Sequence, residues 1–269
     1  MPELAELKLT ADYVNSVVVD RTFHSIVKNP EHKWKDIRND IDFGFSITAE
    51  ARGKELRLVL TESAISPGQN IKSLMMTMGM GGRFQWVPEG ESVKHTHLSF
   101  LSACGGHLAF VDIRRFGKWN WGNWNSKRGP DPTTEYFKFC HHINQNLSNK
   151  AFDKPIFEIL MDQRYFNGIG NYLRAEILYR IPHTSPFTNS REFIEKHRWE
   201  LFSLCRDIPI LVYEIGGGSI KDWKNPFGQV SSVSSFLLCY GNKSMNKILD
   251  SNGRTFWFDP KWKKEEYDK

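Results

Sequence analysis

The second and third residues, Pro2 and Glu3 in the opening MPELAEL, carry the most distinctive chemistry in the chain. Removal of Met1 would leave proline at the terminus, the one coded residue whose free amino group is a secondary amine. Such an amine is a good nucleophile toward an aldehyde-like carbon. An α-amino group titrates near ~7.7–8.0, so much of it is available neutral. Glu3 beside it could carry protons. The ordinary alternative is that Pro2 is incidental and Glu3 merely favours a helix start. On these seven residues alone the ordinary alternative stands ahead.

Three further stretches hold groups suited to an anionic partner. In ARGKEL, Lys54 sits at the turn between two strand patterns and could reach an anion, although a lone surface lysine is far more often solvated. In VDIRRFGKWNW, Arg114 and Arg115 stand beside Phe116, with Trp119 and Trp121 following. Cations interleaved with aromatics can fill a gap in a base stack, or can simply edge an aromatic core. In MDQRYFNGIGNYLRAEILYR, a helix running into RYFNGIG is followed by a second helix with Asn171 as its N-cap. Free amides at that helix start would make a phosphate site. A bland helix–loop–helix fits the spacing equally well. Gly-x-Gly turns also occur in helix-hairpin-helix modules, so DNA-backbone binding is a broad inference.

Metal and redox chemistry find little support. Cys104, Cys140, Cys205 and Cys239 form no CxxC pair, which excludes a zinc ribbon or a thioredoxin-like site. His95 and His97 lie two apart in a strand-like stretch, which predicts one shared face. With no carboxylate or cysteine cluster nearby in sequence, packing or hydrogen bonding outweighs a metal pair.

The elements that must position these groups change character halfway along. Leu7, Ala11, Val14 and Val18 have helical spacing, so a helix begins directly behind Pro2. The period then becomes two, in Phe43-Phe45-Ile47-Ala49, Leu56-Leu58-Leu60 and Leu74-Met76-Met78-Met80, followed by HTHLSFL and HLAFVDIRRF. These short strands predict a β-sandwich or barrel-like unit. NSKRGPDPTTE reads as a linker. Beyond it, several segments have helical spacing, a glycine-rich loop GGGSIKDWKNPFGQ intervenes, and short strand-like pieces close the chain ahead of a charged tail. The expected boundaries are 1–125 for the sandwich, 126–134 for the linker and 135–269 for the helical part. The fold class is therefore α+β. Net charge is +5, which permits a polyanion without requiring one. No apolar run reaches membrane-span length and the start is not signal-like, so a cytosolic or nuclear protein is expected.

The chain resembles the formamidopyrimidine-DNA glycosylase/endonuclease VIII family. The resemblance rests on MPELAEL, ARGKELRL, MGMGGRFQWVP, HTHLSF, FVDIRRFGKW, AFDKPIFEILMDQRYFNGIGNYLRAEILYR and CYGNKSMNKILDSNGRTFWF, in the family's order across nearly the whole sequence. It implies a β-sandwich with flanking helices, then a helix–two-turns–helix domain ending in a β-hairpin finger, with DNA in the cleft between. Since no paired cysteines surround the finger, it looks like the family's zincless form. The implied activity is a bifunctional glycosylase and lyase acting on oxidised bases, pyrimidines above all, without a cofactor. Residue by residue, the resemblance makes Pro2 the nucleophile, Glu3 the general acid/base, Lys54 the basic residue at the catalytic site and Glu6 the second acidic residue of the N-terminal motif. It makes Asn171 and Arg254 phosphate ligands. It places Met80, Arg114 and Phe116 in the gap left by a flipped nucleotide and His95 at the DNA interface. The implied partner is damaged or abasic duplex DNA, with single-stranded DNA a further candidate, bound by a monomer. Eukaryotic members imply a nuclear location.

Two departures stand out. Ala5 replaces the usual proline, which implies a looser helix start, and Gly218 or Ser219, with Lys221 nearby, occupies the place of a lesion-reading basic residue. Two non-enzymatic readings compete: a catalytically silent DNA-damage sensor and a helix-hairpin-helix scaffold. Neither has a use for a processed Pro2 with Glu3 behind it.

Overall fold

The computed structural model describes residues 2–37, 41, 44–63, 70–218 and 225–263. Phe43, Ser219, Lys221 and the end of the charged tail lie outside the described residues. Helix α1 (Leu4–Val18) opens the chain, followed by β1 (Phe23–Lys28), β2 (Phe45–Arg52), β3 (Glu55–Glu62), β4 (Ile71–Thr77), β5 (Arg83–Val87), β6 (Thr96–Ser102), β7 (His107–Val111) and β8 (Lys118–Trp121). All pair antiparallel in the order β5-β7-β6-β1-β2-β3-β4-β8. In the middle, β1 and β2 meet through a single register pair, Phe23 with Phe45. The sheet thus bends into two four-stranded leaves.

The apolar alternation read from the sequence is what the leaves bury between them. Phe45, Ile47 and Ala49, then Leu56, Leu58 and Leu60, face one core with Phe23, Phe100, Phe110 and Trp119. The Phe110 and Trp119 rings meet edge to face at 6.3 Å and tie β7 to β8 across the sandwich. Because β2 pairs so little with β1, helix α1 covers it. Asn15 behaves as a substitute strand residue, donating to Ala49 O at 2.9 Å and accepting from Ala49 N at 2.7 Å. Those backbone groups would otherwise be buried without partners.

The second core is helical. It gathers α2 (Tyr136–Asn146), α3 (Ile156–Ile159), α4 (Asn171–Tyr179), α5 (Ser190–Glu214) and α6 (Val233–Phe236) under a hairpin of β9 (Asn246–Leu249) and β10 (Thr255–Phe258). Phe256 stacks on Phe157 at 4.7 Å and Phe258 meets Phe187 at 5.0 Å, which seats the hairpin on the helices. Helix α1 serves both cores. Its first turn, Leu4 and Ala5, packs with the helical residues, whereas Leu7, Ala11, Val14 and Val18 pack with the strands. The N-terminus is therefore fixed where the two cores meet. Ala5 lies in the first turn of α1 and is fully buried.

The connecting segment is tightly held. Gly53 N donates to Asp131 Oδ2 at 2.6 Å, Arg52 pairs with Glu135 at 2.7 Å, and Gly129 N donates to Gln163 O at 3.0 Å. The proline- and glycine-rich composition that marks a linker here makes a strap between the β2–β3 turn and the helical part.

Candidate functional site

Glu3 is the N-cap of α1, and its carboxylate reaches the N-terminus of a second helix, α4. Its Oε1 accepts from Tyr172 N at 3.2 Å and its Oε2 from Leu173 N at 3.3 Å. Those are two of the orphan amides that every helix start leaves unpaired, and the helix dipole favours the negative charge there. Glu6 completes the anchorage. Its Oε2 accepts from Glu3 N at 2.8 Å, while its Oε1 accepts from Tyr172 Oη at 2.9 Å and Gly218 N at 2.7 Å. Both carboxylates are buried. Pro2, directly before Glu3 and half-buried, is held at the same junction.

Lys54 arrives from the β2–β3 hairpin. The two-residue turn puts Gly53 at φ +57°, and a Cβ there would lie 2.1 Å from Asn167 Oδ1, so only glycine lets the hairpin tip approach the loop before α4. Lys54 Nζ then donates to Ile169 O at 3.2 Å. Gly170 is the wall between the two charged groups: a Cβ on it would stand 2.2 Å from both Glu3 Oε1 and Lys54 Nζ. Burial lifts the Glu3 carboxyl above its ordinary range, against the Lys54 charge and the two α4 amides, which pull it down. Burial likewise lowers the Lys54 ammonium, against the Glu3 charge, which raises it. The two shifts run toward each other, the direction that suits a group acting as general acid or base. The Tyr172 hydroxyl, buried and facing both carboxylates, is pushed well above the usual phenol range and stays a donor.

Asn171 is the first residue of α4, and Gly170 occupies the N-cap expected for Asn171. Its side chain instead bridges to the finger. Nδ2 donates to Thr255 O at 2.9 Å, and Oδ1 accepts from Arg174 at 2.6 Å. Arg174 is fully buried, paired with Asp250 at 2.8 Å. Asp250 in turn accepts the backbone amides of Asn252 and Arg254 at 2.9 Å each. One buried ion pair therefore orients both Asn171 and the turn that presents the exposed Arg254.

On the sandwich, the β4–β5 and β7–β8 loops bring Met80, Arg114 and Phe116 together at the surface. Met80 and Phe116 are about half exposed, at 51% and 52%. Arg114 contacts Met80 Sδ at 3.3 Å and lies 5.1 Å over the Phe116 ring. Asp112, fully buried, fixes the second loop by accepting Arg114 N at 3.1 Å and Gly117 N at 2.7 Å.

Several expectations are corrected by this geometry. Two of the amides at the start of α4 that were expected to receive phosphate, Tyr172 N and Leu173 N, are taken by Glu3. The helix expected to run into RYFNGIG ends at Ile159, with turns beyond it. The alternation through Met80 ends with β4 at Thr77, because Gly79 at φ +59° turns the chain. Trp119, grouped with the surface aromatics, is 2% exposed in the sandwich core. His95 and His97 do not share a face. His95 precedes β6 at φ +67° and is half-buried, with its carbonyl accepting Asp112 N at 3.1 Å. His97 is buried, with Nε2 2.7 Å from Asp112 O. Residues missed from the sequence are Tyr172, Arg174, Asp250, Asp112 and Asn167. All five stand inside quoted motifs, but nothing in the letters distinguished their side chains from ordinary polar residues.

Comparison with known proteins supplies the remaining context. The formamidopyrimidine-DNA glycosylase N-terminal domain matches residues 1–119, and the DNA-binding module of endonuclease VIII-like 1 matches residues 230–261. Endonuclease 8-like 1 of Homo sapiens is 39% identical over 96% of this chain and 72% of its own length. Formamidopyrimidine-DNA glycosylase of Shewanella halifaxensis is 30% identical over 90% of this chain and 88% of its own. In structure, the Thermus thermophilus MutM (Fpg) protein superposes with a TM-score of 0.77 at 24% identity, covering 97% of this chain and 98% of that one. A Lactococcus lactis Fpg mutant bound to Fapy-dG-containing DNA superposes with a TM-score of 0.78 at 22% identity, covering 96% and 98%.

Proposed function

From the premise that this chain belongs to the formamidopyrimidine-DNA glycosylase/endonuclease VIII family, we propose that it is a bifunctional DNA glycosylase and abasic-site lyase that removes oxidised bases, mainly pyrimidines. The observation that carries this reading is the buried Glu3 carboxyl, fixed on the first amides of α4 beside Lys54 and directly behind Pro2. A scaffold or damage sensor has no use for that arrangement.

The damaged nucleotide leaves the duplex at a cost of a few kcal/mol, least when its pairing is already weak. With Met1 removed, the neutral Pro2 nitrogen bonds to deoxyribose C1′. The C1′–N bond to the base breaks, and the base takes up a proton on departure. Glu3 moves protons to and from the sugar as the ring opens and a protonated Schiff base forms. The iminium acidifies the C2′ proton. Its loss expels the 3′ phosphate by β-elimination, and a second elimination expels the 5′ phosphate. Water then releases the sugar fragment and regenerates the amine. The iminium is itself the electron sink, so the scheme calls on no metal or organic cofactor.

Asn171 and Arg254 hold the strand. The Asn171 amide has two protons, and Thr255 O takes one of them, leaving the other for a phosphate oxygen. Met80, Arg114 and Phe116 enter the vacated stack, with His95 at the adjoining face. The sandwich at 1–125, the strap at 126–134 and the helical part at 135–269 are proposed as two domains flanking the DNA. The protein works as a monomer on oxidised or abasic duplexes and on single-stranded DNA, in the nucleus.

Borohydride trapping with Met1-free protein on oxidised-pyrimidine DNA tests the proposal. A covalent protein–DNA adduct is expected. Tight binding to the same DNA with no adduct would assign the chain to damage recognition alone.

A further inference from the structure

Two histidines lie stacked against the loop that carries Arg114 and Phe116, and the proposed chemistry uses neither. His32 and His97 are 3% and 1% exposed, with ring centres 4.5 Å apart, and the His32 ring also lies 4.7 Å from Trp119. Their hydrogen bonds fix which nitrogen of each neutral ring carries the proton. His97 Nε2 is 2.7 Å from Asp112 O, which can only accept, so Nε2 holds the proton. Trp34 N, which can only donate, is 3.2 Å from His32 Nδ1, so that nitrogen is bare and the proton is again on Nε2. The two atoms left over, His32 Nε2 and His97 Nδ1, are buried without a partner among the described residues. One is a donor and the other an acceptor, so they are complementary in kind. A metal ion would need a lone pair at both, and His32 offers a proton instead.

Asp112 carries this arrangement into the loop. Its carbonyl accepts His97 Nε2 and Arg115 N, the latter at 3.3 Å, while its carboxylate accepts Arg114 N and Gly117 N. His32 belongs to residues 29–35, which are tied to the same strands. Asn29 N donates to His97 O at 3.0 Å, Trp34 Nε1 to Trp119 O at 2.7 Å and Trp119 Nε1 to Lys35 O at 3.2 Å. A second proton on His32 would have to enter at Nδ1, where it would oppose the Trp34 N–H and leave that amide without an acceptor. We propose that His32 and His97 form a positioning pair for the 112–117 loop, and that protonation of His32 loosens it. The inference rests on the proposed entry of that loop into duplex DNA. The charged groups around His32 are Lys28 on β1, paired with Asp36 at 2.7 Å, and Asp112 and Arg115 on the loop, with Arg115 paired to Glu31 at 3.4 Å. Burial pushes the His32 imidazole below its ordinary range, assisted by His97, Lys28 and Arg115 and opposed by Asp112. The fold therefore keeps the ring neutral near neutrality. It takes up the proton, and loses stability, as pH falls below the ordinary histidine value near ~6.5.

The test measures single-turnover excision from duplex and from single-stranded DNA and reads the ratio of the two rates, in which titration of Glu3 cancels. His97→Leu removes the bond to Asp112 and should lower the duplex rate about tenfold, with single-stranded DNA changed much less. His97→Gln, which keeps a donor at that place, should restore most of the ratio. In the parent the ratio should fall as pH is lowered from about 7.5 to about 5. In His32→Asn, which keeps an acceptor for Trp34 N but takes up no proton, the ratio should stay flat. An equal fall of His97→Leu on both DNAs, no rescue by glutamine, or a parental ratio independent of pH would each overturn the inference. An NMR titration of the DNA-free parent decides it with no variant that must fold. The Arg114 and Gly117 amide signals should shift with the midpoint of the His32 ring, and unrelated midpoints would overturn the coupling. Shared midpoints in a protein that excises nothing from either DNA would remove the proposed chemistry and leave the pair standing.

Discussion

Gly170→Ala is the sharpest probe of the site, because the perturbation is a single methyl group and its neighbours are known. Gly170 has φ −129° and ψ −156°, an extended conformation open to alanine, so the substitution brings no backbone strain of its own. Its Cβ, however, would meet Glu3 Cδ, Glu3 Oε1 and Lys54 Nζ, each at 2.2 Å. Ordinary carbon contacts begin near ~3.5 Å, so these groups must retreat by about 1 Å. Lys54 is the end of a flexible chain and can swing away. Glu3 is buried and held by two amides, so its retreat breaks or stretches those hydrogen bonds. A displacement of about 1 Å in a reacting constellation costs on the order of 10²-fold in rate, or about 2.7 kcal/mol of barrier. Single-turnover excision and borohydride trapping on an oxidised-pyrimidine duplex should both fall by about that factor. Affinity for an uncleavable duplex should stay within a few-fold, because Arg254, Met80, Arg114 and Phe116 are untouched. A parental single-turnover rate in a folded Gly170→Ala protein would refute the view that the Glu3–Lys54 arrangement governs the chemistry.

Four other outcomes follow from the same structure. Retaining Met1, or adding an N-terminal tag, should abolish base removal and strand cutting while DNA binding persists, because the secondary amine becomes an amide; single-turnover assays on tagged and processed protein check this. Glu3→Gln should cut excision by roughly 10²–10⁴-fold. The parental rate should fall as pH rises through the raised Glu3 value, because the protonated acid is then lost, and a pH profile of the variant should lack that limb. Arg254→Ala should lower the log–log salt slope by about 0.9, read by a binding titration at several salt concentrations. Replacing Met80, Arg114 and Phe116 together with alanine should impair excision from duplex DNA by one to several orders of magnitude, since stacking of ~1–3 kcal/mol per base offsets the flipping cost. Single-stranded DNA should suffer much less.

The sequence made the strands legible because their apolar period of two is a local pattern, and Phe45, Ile47, Leu56, Leu58 and Leu60 all face the core as that period requires. It stopped being legible where one backbone angle overrides the pattern. His95 at φ +67° and Gly79 at φ +59° each end an alternation that continues in the letters. The groups of the candidate site were recognisable by type, yet their arrangement was not. Glu3 meets amides 169 and 170 residues away in the chain, and no local spacing encodes that meeting. Arg174 and Asp250 resemble ordinary surface charges in the sequence. Their burial becomes evident only when the hairpin closes over α4.

Glu3 at the start of α4 also constrains how this fold can meet DNA. A helix N-terminus in a DNA-binding protein is a natural phosphate site, and here two of its amides are already taken by the protein's own carboxylate. Removing that carboxylate would free two amides and the positive end of a helix, at the point where the proposed reaction needs a proton carrier. The same dipole that would attract phosphate instead stabilises a buried acid, which could not otherwise stay charged there at low cost. In the proposed complex the strand is held by side chains set around the helix end: Asn171 through its spare amide proton and Arg254 on the hairpin turn. Arg174 bonds directly to Asn171 and, through Asp250, fixes the Arg254 turn. One buried arginine thus links the proposed strand grip to the helix whose first turn binds Glu3. Loss of Arg174 should therefore disturb DNA affinity and the placement of the acid together.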